Sequence, residues 1–192
     1  MLQKFGRSMD NEPGKILFSH PTGNTNVRAL LKSSAATNTL EAFITTIAIE
    51  ENASWLNFLP EPVREELIRR TFPLDFRLII THPLRELVRL ILPRMGLGIK
   101  LQKPDSWAHI NSVYRDLDRF TATFLKKSGI QNNIRAVYAY EDGAYETFLQ
   151  AKKLRIECIY ELPIAYWQTL RRLLLLEADR MPAWAITLKG GI

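Results

Sequence analysis

The sequence predicts an α/β protein: a Rossmann-like parallel sheet with helices on both faces and a helical insertion in the middle. Three observations lead there. Short β-rich runs at residues 15–19, 40–47, 134–140 and 155–160 have the length of buried strands, and all but the second are nearly continuous in apolar character. Helical patterns separate the first two runs and the last two, a spacing that fits βαβ crossovers between parallel neighbours. Finally, 192 residues with 46% hydrophobic content suffice for one sizeable core without a disulfide or metal staple.

Along the chain, residues 1–13 are polar and read as a flexible arm ahead of a single domain at 14–192. The run 15–19 leads through His20-Pro21-Thr22-Gly23-Asn24 into a helix over 24–36, with Val27, Leu30, Leu31 and Ser34 at helical spacing. In the middle, "SWLNFLPEPVREELIRRTF" gives two short helices split by Pro60 and Pro62. Residues 76–80, "FRLII", leave the choice of strand open. A third helix starts at Pro83 and stops near Pro93 and Gly96. Its apolar stripe is Leu84, Leu87, Val88 and Ile91, with Arg85, Glu86 and Arg89 opposite.

The longest helix is expected over 106–127, with Asp105 as N-cap and a core stripe of Trp107, Ile110, Tyr114, Leu117, Phe120 or Thr121, and Phe124. Another covers 144–154, with Tyr145, Phe148, Leu149 and Lys152 on one side, and a last one begins at Pro163 and ends before Pro182.

The charge of +6 is concentrated between residues 62 and 104, where nine Lys or Arg meet four acids. Such a face attracts phosphates, anionic lipid or nucleic acid, unless it is only a solvated surface. Nucleic acid is not expected, because the charge is not interleaved with aromatics and no recognition-helix motif stands out. The longest greasy stretch is interrupted by Arg171, Arg172 and Glu177, so nothing in it spans a bilayer, and the expected address is the cytoplasm or the inner membrane surface. Cys158, the lone cysteine, lies in an apolar run and reads as a buried thiol rather than a nucleophile.

Three strand-to-helix loops, expected to open side by side onto one hollow at the carboxyl ends of the strands, could bind a ligand. After the first strand, Thr22, Gly23, Asn24, Asn26 and Arg28 would offer backbone amides, amide side chains and a fixed cation to a sugar hydroxyl or anion. A tight turn with an Asx cap explains the same residues without a ligand. After the run 134–140, Glu141, Asp142 and Gly143 could hold hydroxyls, or only cap the next helix. After the last run, Glu161 with Tyr166 and Trp167 suits a stacked sugar, unless Trp167 belongs to the core. The dinucleotide glycine pattern is absent, no metal spacing links His20, His82, His109 and Cys158, and no cofactor is expected. Catalytic residues are not identifiable.

Together, "HPTGNTNVRALL", "HPLRELVRL", "RAVYAYEDGAYETFLQAKKL" and "YELPIAYWQTLRRLLLLEADRMPAWAITL" resemble the amino-terminal half of bacterial glycosyltransferases of the two-Rossmann-domain (GT-B) type, in the family-four-like, group 1 class. The likeness covers roughly residues 15–188. It implies an acceptor-side domain that works on a sugar or lipid-linked acceptor, with the nucleotide-sugar donor held by a second domain. It places Gly23, Asn24 and Asn26 in the first cleft loop and Glu141 and Asp142 on the neighbouring rim. Glu161 stands where many of these enzymes carry a His, so that role does not transfer. No second Rossmann domain, donor lysine or paired glutamates are present, so the chain is expected to be half of an enzyme, truncated or completed by a partner, and inactive alone. The alternative is a non-catalytic α/β interaction module with a basic partner-binding face. A nucleotide-dependent reductase ranks last, for want of the glycine fingerprint.

Overall fold

The computed structural model describes residues 14–50, 53–96, 103, 106–128 and 133–187. The expected arm at 1–13 and the Asp105 cap lie outside them. Five strands form one all-parallel sheet: β1 (Lys15–Ser19), β2 (Leu40–Thr45), β3 (Ile79–Thr81), β4 (Ile134–Tyr140) and β5 (Glu157–Glu161). Their order across the sheet is β3-β2-β1-β4-β5, so the chain reverses direction of growth between β1 and β4. Residues 76–80 divide: Phe76–Leu78 is a 3₁₀ turn, and only its continuation Ile79–Thr81 pairs, in parallel, with Phe43–Thr45 of β2.

Strand alternation splits the core into two layers. Leu17, Ile44 and Val137 point to one face, where they meet Leu117 and Leu125 of α4 (Ile110–Ser128) and Ala151 of α5 (Tyr145–Lys153). Phe18, Phe43 and Tyr138 point to the other, against Val27 and Leu31 of α1 (Thr25–Ala36) and Phe72. Helices therefore cover both faces, as expected. The middle adds α2 (Glu61–Ile68) and α3 (Leu84–Ile91).

Three expectations are corrected. The long helix begins at Ile110, not 106, because Ser106–His109 forms a turn in which His109 Nδ1 accepts from Asn111 N and Ser112 Oγ donates to the Ser106 carbonyl. Trp107 therefore leaves the core stripe and is exposed. The last helix, α6 (Trp167–Arg180), starts four residues after Pro163, with Tyr166 still in extended backbone at its N-cap. The third correction concerns α3, which is turned inside out. Its single buried residue is Glu86, while Leu84, Leu87 and Ile91 face outward. Amphipathic patterning identified the helix and assigned its buried face wrongly.

Two compact units are distinguishable, residues 1–160 and 161–192. The first contains the sheet core and the helices up to α5; the second contains α6 and the 3₁₀ segment Pro182–Thr187. Cys158 is half-buried, and burial pushes its thiol pKa up, which disfavours the thiolate.

The α1 N-terminus explains two of its residues structurally. Asn24 is the N-cap, its Oδ1 accepting from Val27 N at 2.8 Å. Gly23 has φ +69°, and a Cβ there would lie 2.3 Å from Phe72 Cε1. Asn24→Ala is therefore expected to lower unfolding stability by about 1 kcal/mol, and Gly23→Ala by about 3 kcal/mol from left-handed strain plus overpacking. Urea unfolding of the two variants measures both. An Asn24→Ala stability equal to the parent's would mean that the cap is not made in solution.

Candidate functional site

The reversal of strand order between β1 and β4 leaves their carboxyl ends adjacent with their helices departing to opposite faces, the usual place for a ligand in an open parallel sheet. What surrounds it is built by the strand ends themselves. The Pro21 carbonyl, just past β1, accepts from Thr45 Oγ1 at 3.1 Å and Thr46 Oγ1 at 2.6 Å, tying the first loop to the end of β2. His20 is buried, and its Nδ1 accepts from Gly23 N at 2.8 Å and Thr22 N at 3.2 Å. The imidazole thus shapes the loop. Burial, helped by the Arg28 charge, lowers its pKa to about 4, so it is neutral at pH 7 with the proton on Nε2.

From His20 a line of aromatic rings crosses to the neighbouring strand. The His20 ring lies 4.6 Å from Tyr140 at the end of β4, and Tyr140 meets Tyr114 of α4 edge-on at 6.0 Å. Next comes an ion cluster. Glu86, 1% exposed, takes a forked contact from Arg89 (Nε at 2.6 Å, Nη2 at 2.8 Å) and another from Arg70 Nη2 at 2.8 Å. Arg70 also reaches Glu66 and, at 3.5 Å, Thr46 Oγ1, which returns the chain of contacts to Pro21. Burial alone would raise the Glu86 pKa, but Arg89 and Arg70 outweigh it and hold the carboxyl below its ordinary value. Burial, then the Glu86 charge, pushes the Tyr114 phenol up.

The two loops that the sequence singles out here are therefore neighbours, joined through His20 and Tyr140. They do not share one hollow. Gly23, Asn24, Thr25 and Arg28 line a space of about 410 Å³ with Ile68 and Arg69. Asp142 lines another, of about 340 Å³, with Arg115, Asp118, Arg119, Tyr145 and Glu146. Both lie within the size range of small-molecule sites.

Arg28 is committed to the fold. Its Nε donates to the Gly23 carbonyl, Nη1 to Thr71 O and Nη2 to Arg69 O, and it stacks over Phe72. Asn26 is exposed on the first turn of α1 and Thr22 is half-buried beside His20. Glu141, Asp142 and Gly143 form a 3₁₀ turn, with Asp142 exposed and Gly143 buried against the Tyr114 carbonyl. The expected capping of α5 by Glu141 or Asp142 is not what the helix uses. Asp118, from α4, receives Glu146 N and Thr147 N at 2.8 and 2.9 Å. That leaves Asp142 facing the hollow. Its charge and that of Glu141 contribute, after burial, to raising the Tyr160 pKa. Glu161 and Tyr166 belong to the second unit: Glu161 is buried at the end of β5, and Tyr166 is exposed beside Trp167.

Sequence reasoning missed Arg70, Glu86, Arg89, Tyr114 and Asp118. The i, i+4 pair Glu66–Arg70 and the i, i+3 pair Glu86–Arg89 are visible in the sequence, but as surface pairs. A second pair of elements is joined by Asp116, which sits 2.8 Å from His82 Nε2 and 3.1 Å from Arg85 Nε. Five of the nine cations between residues 62 and 104 (Arg69, Arg70, Arg77, Arg85 and Arg89) sit in ion pairs with Glu66, Asp75, Glu86 and Asp116, so these arginines are engaged locally while the segment keeps its excess of positive charge. Among the described residues, no three His, Cys, Asp or Glu side chains converge as metal ligands. No helix among them is long and apolar enough to cross a membrane.

Comparison with family models, curated proteins and solved structures returns no match for this chain.

The buried imidazole predicts a pH signature. Unfolded His20 takes up a proton near pH 6.5, whereas in the folded protein it does so only near 4. Its contribution is complete above pH 6.5 and disappears as pH falls to 4, a loss of roughly 3 kcal/mol. Urea unfolding between pH 7 and 4 should show this slope, and His20→Asn should flatten it.

Proposed function

We propose that this chain is the acceptor-side domain of a GT-B-type glycosyltransferase and binds a sugar or lipid-linked sugar at the β1–β4 rim. The observation that carries the reading is the strand order, which sets the first loop beside the Glu141–Gly143 turn at the reversal point. The resemblance of the rim segments to that family supplies the reaction class. Asn26, the first-loop backbone and Asp142 are the groups left to meet hydroxyls, because His20, Asn24 and Arg28 already hold the loop. Asp142 would accept hydroxyl donors, and the arginines Arg115 and Arg119 would face an anionic substituent or phosphate. The nucleotide-sugar donor would be held by a second domain or a partner, so the isolated chain would not turn over.

The outward stripe of α3 favours a lipid-linked acceptor. Leu84, Leu87 and Ile91 are exposed on a helix whose inward residue, Glu86, is part of the buried cluster behind the rim. Such a stripe would let the domain rest on a membrane surface mainly by apolar insertion, since Arg85 and Arg89 are tied to Asp116 and Glu86.

Two measurements test this reading. In an amide-resolved NMR titration with a panel of mono- and disaccharides, shifts are expected at residues 22–26 and 141–143. Asp142→Asn should weaken them without changing the melting temperature. Tight binding of a nucleotide-sugar by this chain alone would contradict the assigned half. In flotation with anionic phospholipid vesicles, the chain is expected to bind, with Leu84→Glu and Ile91→Glu abolishing the association. Vesicle binding unchanged by both substitutions would remove α3 as the contact.

A further inference from the structure

We propose that α6 docks antiparallel onto α6 of a second copy of this chain. No residue of this helix is buried, and Leu173 and Leu176, at its centre, are 48% and 53% exposed. Leu170 extends the stripe by one turn toward the N-terminus, where Trp167 is also exposed. A helix of 14 residues is about 21 Å long, enough for several side-chain layers against a partner helix.

The charges of α6 choose that partner. Arg171 and Arg172 lie in its amino-terminal half and Glu177 and Asp179 in its carboxyl-terminal half, with Arg180 closing the last turn. The helix itself does not supply a partner for Arg172: the residues three and four positions away on either side are Gln168, Thr169, Leu175 and Leu176. Glu177 is engaged by Arg180 at 2.8 Å. With Leu173 and Leu176 at the two core positions of a heptad, Arg172 and Asp179 occupy the same flanking position seven residues apart. In an antiparallel pair with Leu173 of one copy over Leu176 of the other, Arg172 meets the second copy's Asp179. Two-fold symmetry makes the contact twice. A parallel pair would instead set Arg172 against Glu177, which Arg180 already engages, and would not use Asp179. The antiparallel arrangement is the one that pairs Arg172 with Asp179.

The contact is short, so the dimer should form reversibly with rising concentration. Sedimentation equilibrium of the full chain over a wide concentration range should show a monomer–dimer equilibrium. Leu173→Glu with Leu176→Glu should leave monomer throughout. Arg172→Asp alone and Asp179→Arg alone should each weaken the dimer by about fivefold, from the loss of two ion pairs. The double exchange should restore it. Circular dichroism of each variant checks that the helix persists, and the charge exchange stays informative even if the leucine variant unfolds. A parent chain that remains monomeric, or a dimer indifferent to the leucine substitutions, overturns the proposal. Failure of the double exchange to restore association overturns the antiparallel arrangement.

Discussion

Much of the first unit is arranged around one carboxylate. Glu86 is withdrawn from water on a helix whose other face is rich in leucine, and it stays ionised because two guanidiniums hold it. Taking such a charge out of water costs several kcal/mol, which only close, well-aligned counter-charges offset. Arg89 supplies a fork from the same helix, and Arg70 supplies the link to the end of α2 and to Thr46 behind β2. Once Glu86 is inside, α3 cannot turn Leu84, Leu87 and Ile91 inward as well, because they lie away from it on a single short helix. Leu90, one turn on from Glu86, is half-buried with it. The outward stripe is therefore a consequence of the buried ion cluster.

How much of this could be read in advance follows the same division. Strands β1 and β4 were legible to the residue, since apolar runs of that length between helical patterns leave few alternatives. Helix α1 was legible too, through Asn24 and the spacing of Val27 and Leu31. Helix α3 was found and then misoriented. Periodicity reports that a helix has an apolar side; only the partners decide whether that side is covered, and the decisive partner, Arg70, is 16 residues away in sequence. The start of α4 was placed early for a related reason: Trp107 continues the apolar spacing, yet the backbone there is turned by local bonds at Ser106 and His109. Asp118 shows the limit most plainly. An acid in the interior of a long helix looks like a solvated residue, and it proves to cap α5, 28 residues on.

The first loop joins structural and binding roles without separating them by residue type. Polar residues and a glycine after a strand are what a ligand loop requires and also what a tight turn requires. Here the turn uses most of them. His20 takes two amides, Asn24 takes one, Arg28 is drawn onto backbone carbonyls, and Gly23 is demanded by its φ and by Phe72. These contacts stiffen the loop, and a stiff loop presents its remaining groups at fixed positions, which lowers the entropy lost when a ligand is bound. Rigidity of this kind neither implies nor replaces a ligand. It narrows the groups that could touch one to Asn26, the outward backbone and the neighbouring Asp142.

That narrowing bears on how a sugar-transfer domain could work at this rim. His20 is neutral, buried and turned to the loop's own amides, so it is a poor candidate for moving a proton at the reacting oxygen. The Glu86 carboxylate is saturated by arginine donors and held in its ionised form, which removes it as an acid. Tyr114, with its phenol pKa raised, is not a base at neutral pH. His20, Glu86 and Tyr114 are thus committed to holding geometry. A domain with this rim would contribute position and shape to transfer, while charge stabilisation at the leaving group would have to come from whatever holds the donor. In a two-domain transferase, that is the division of labour expected of an acceptor half.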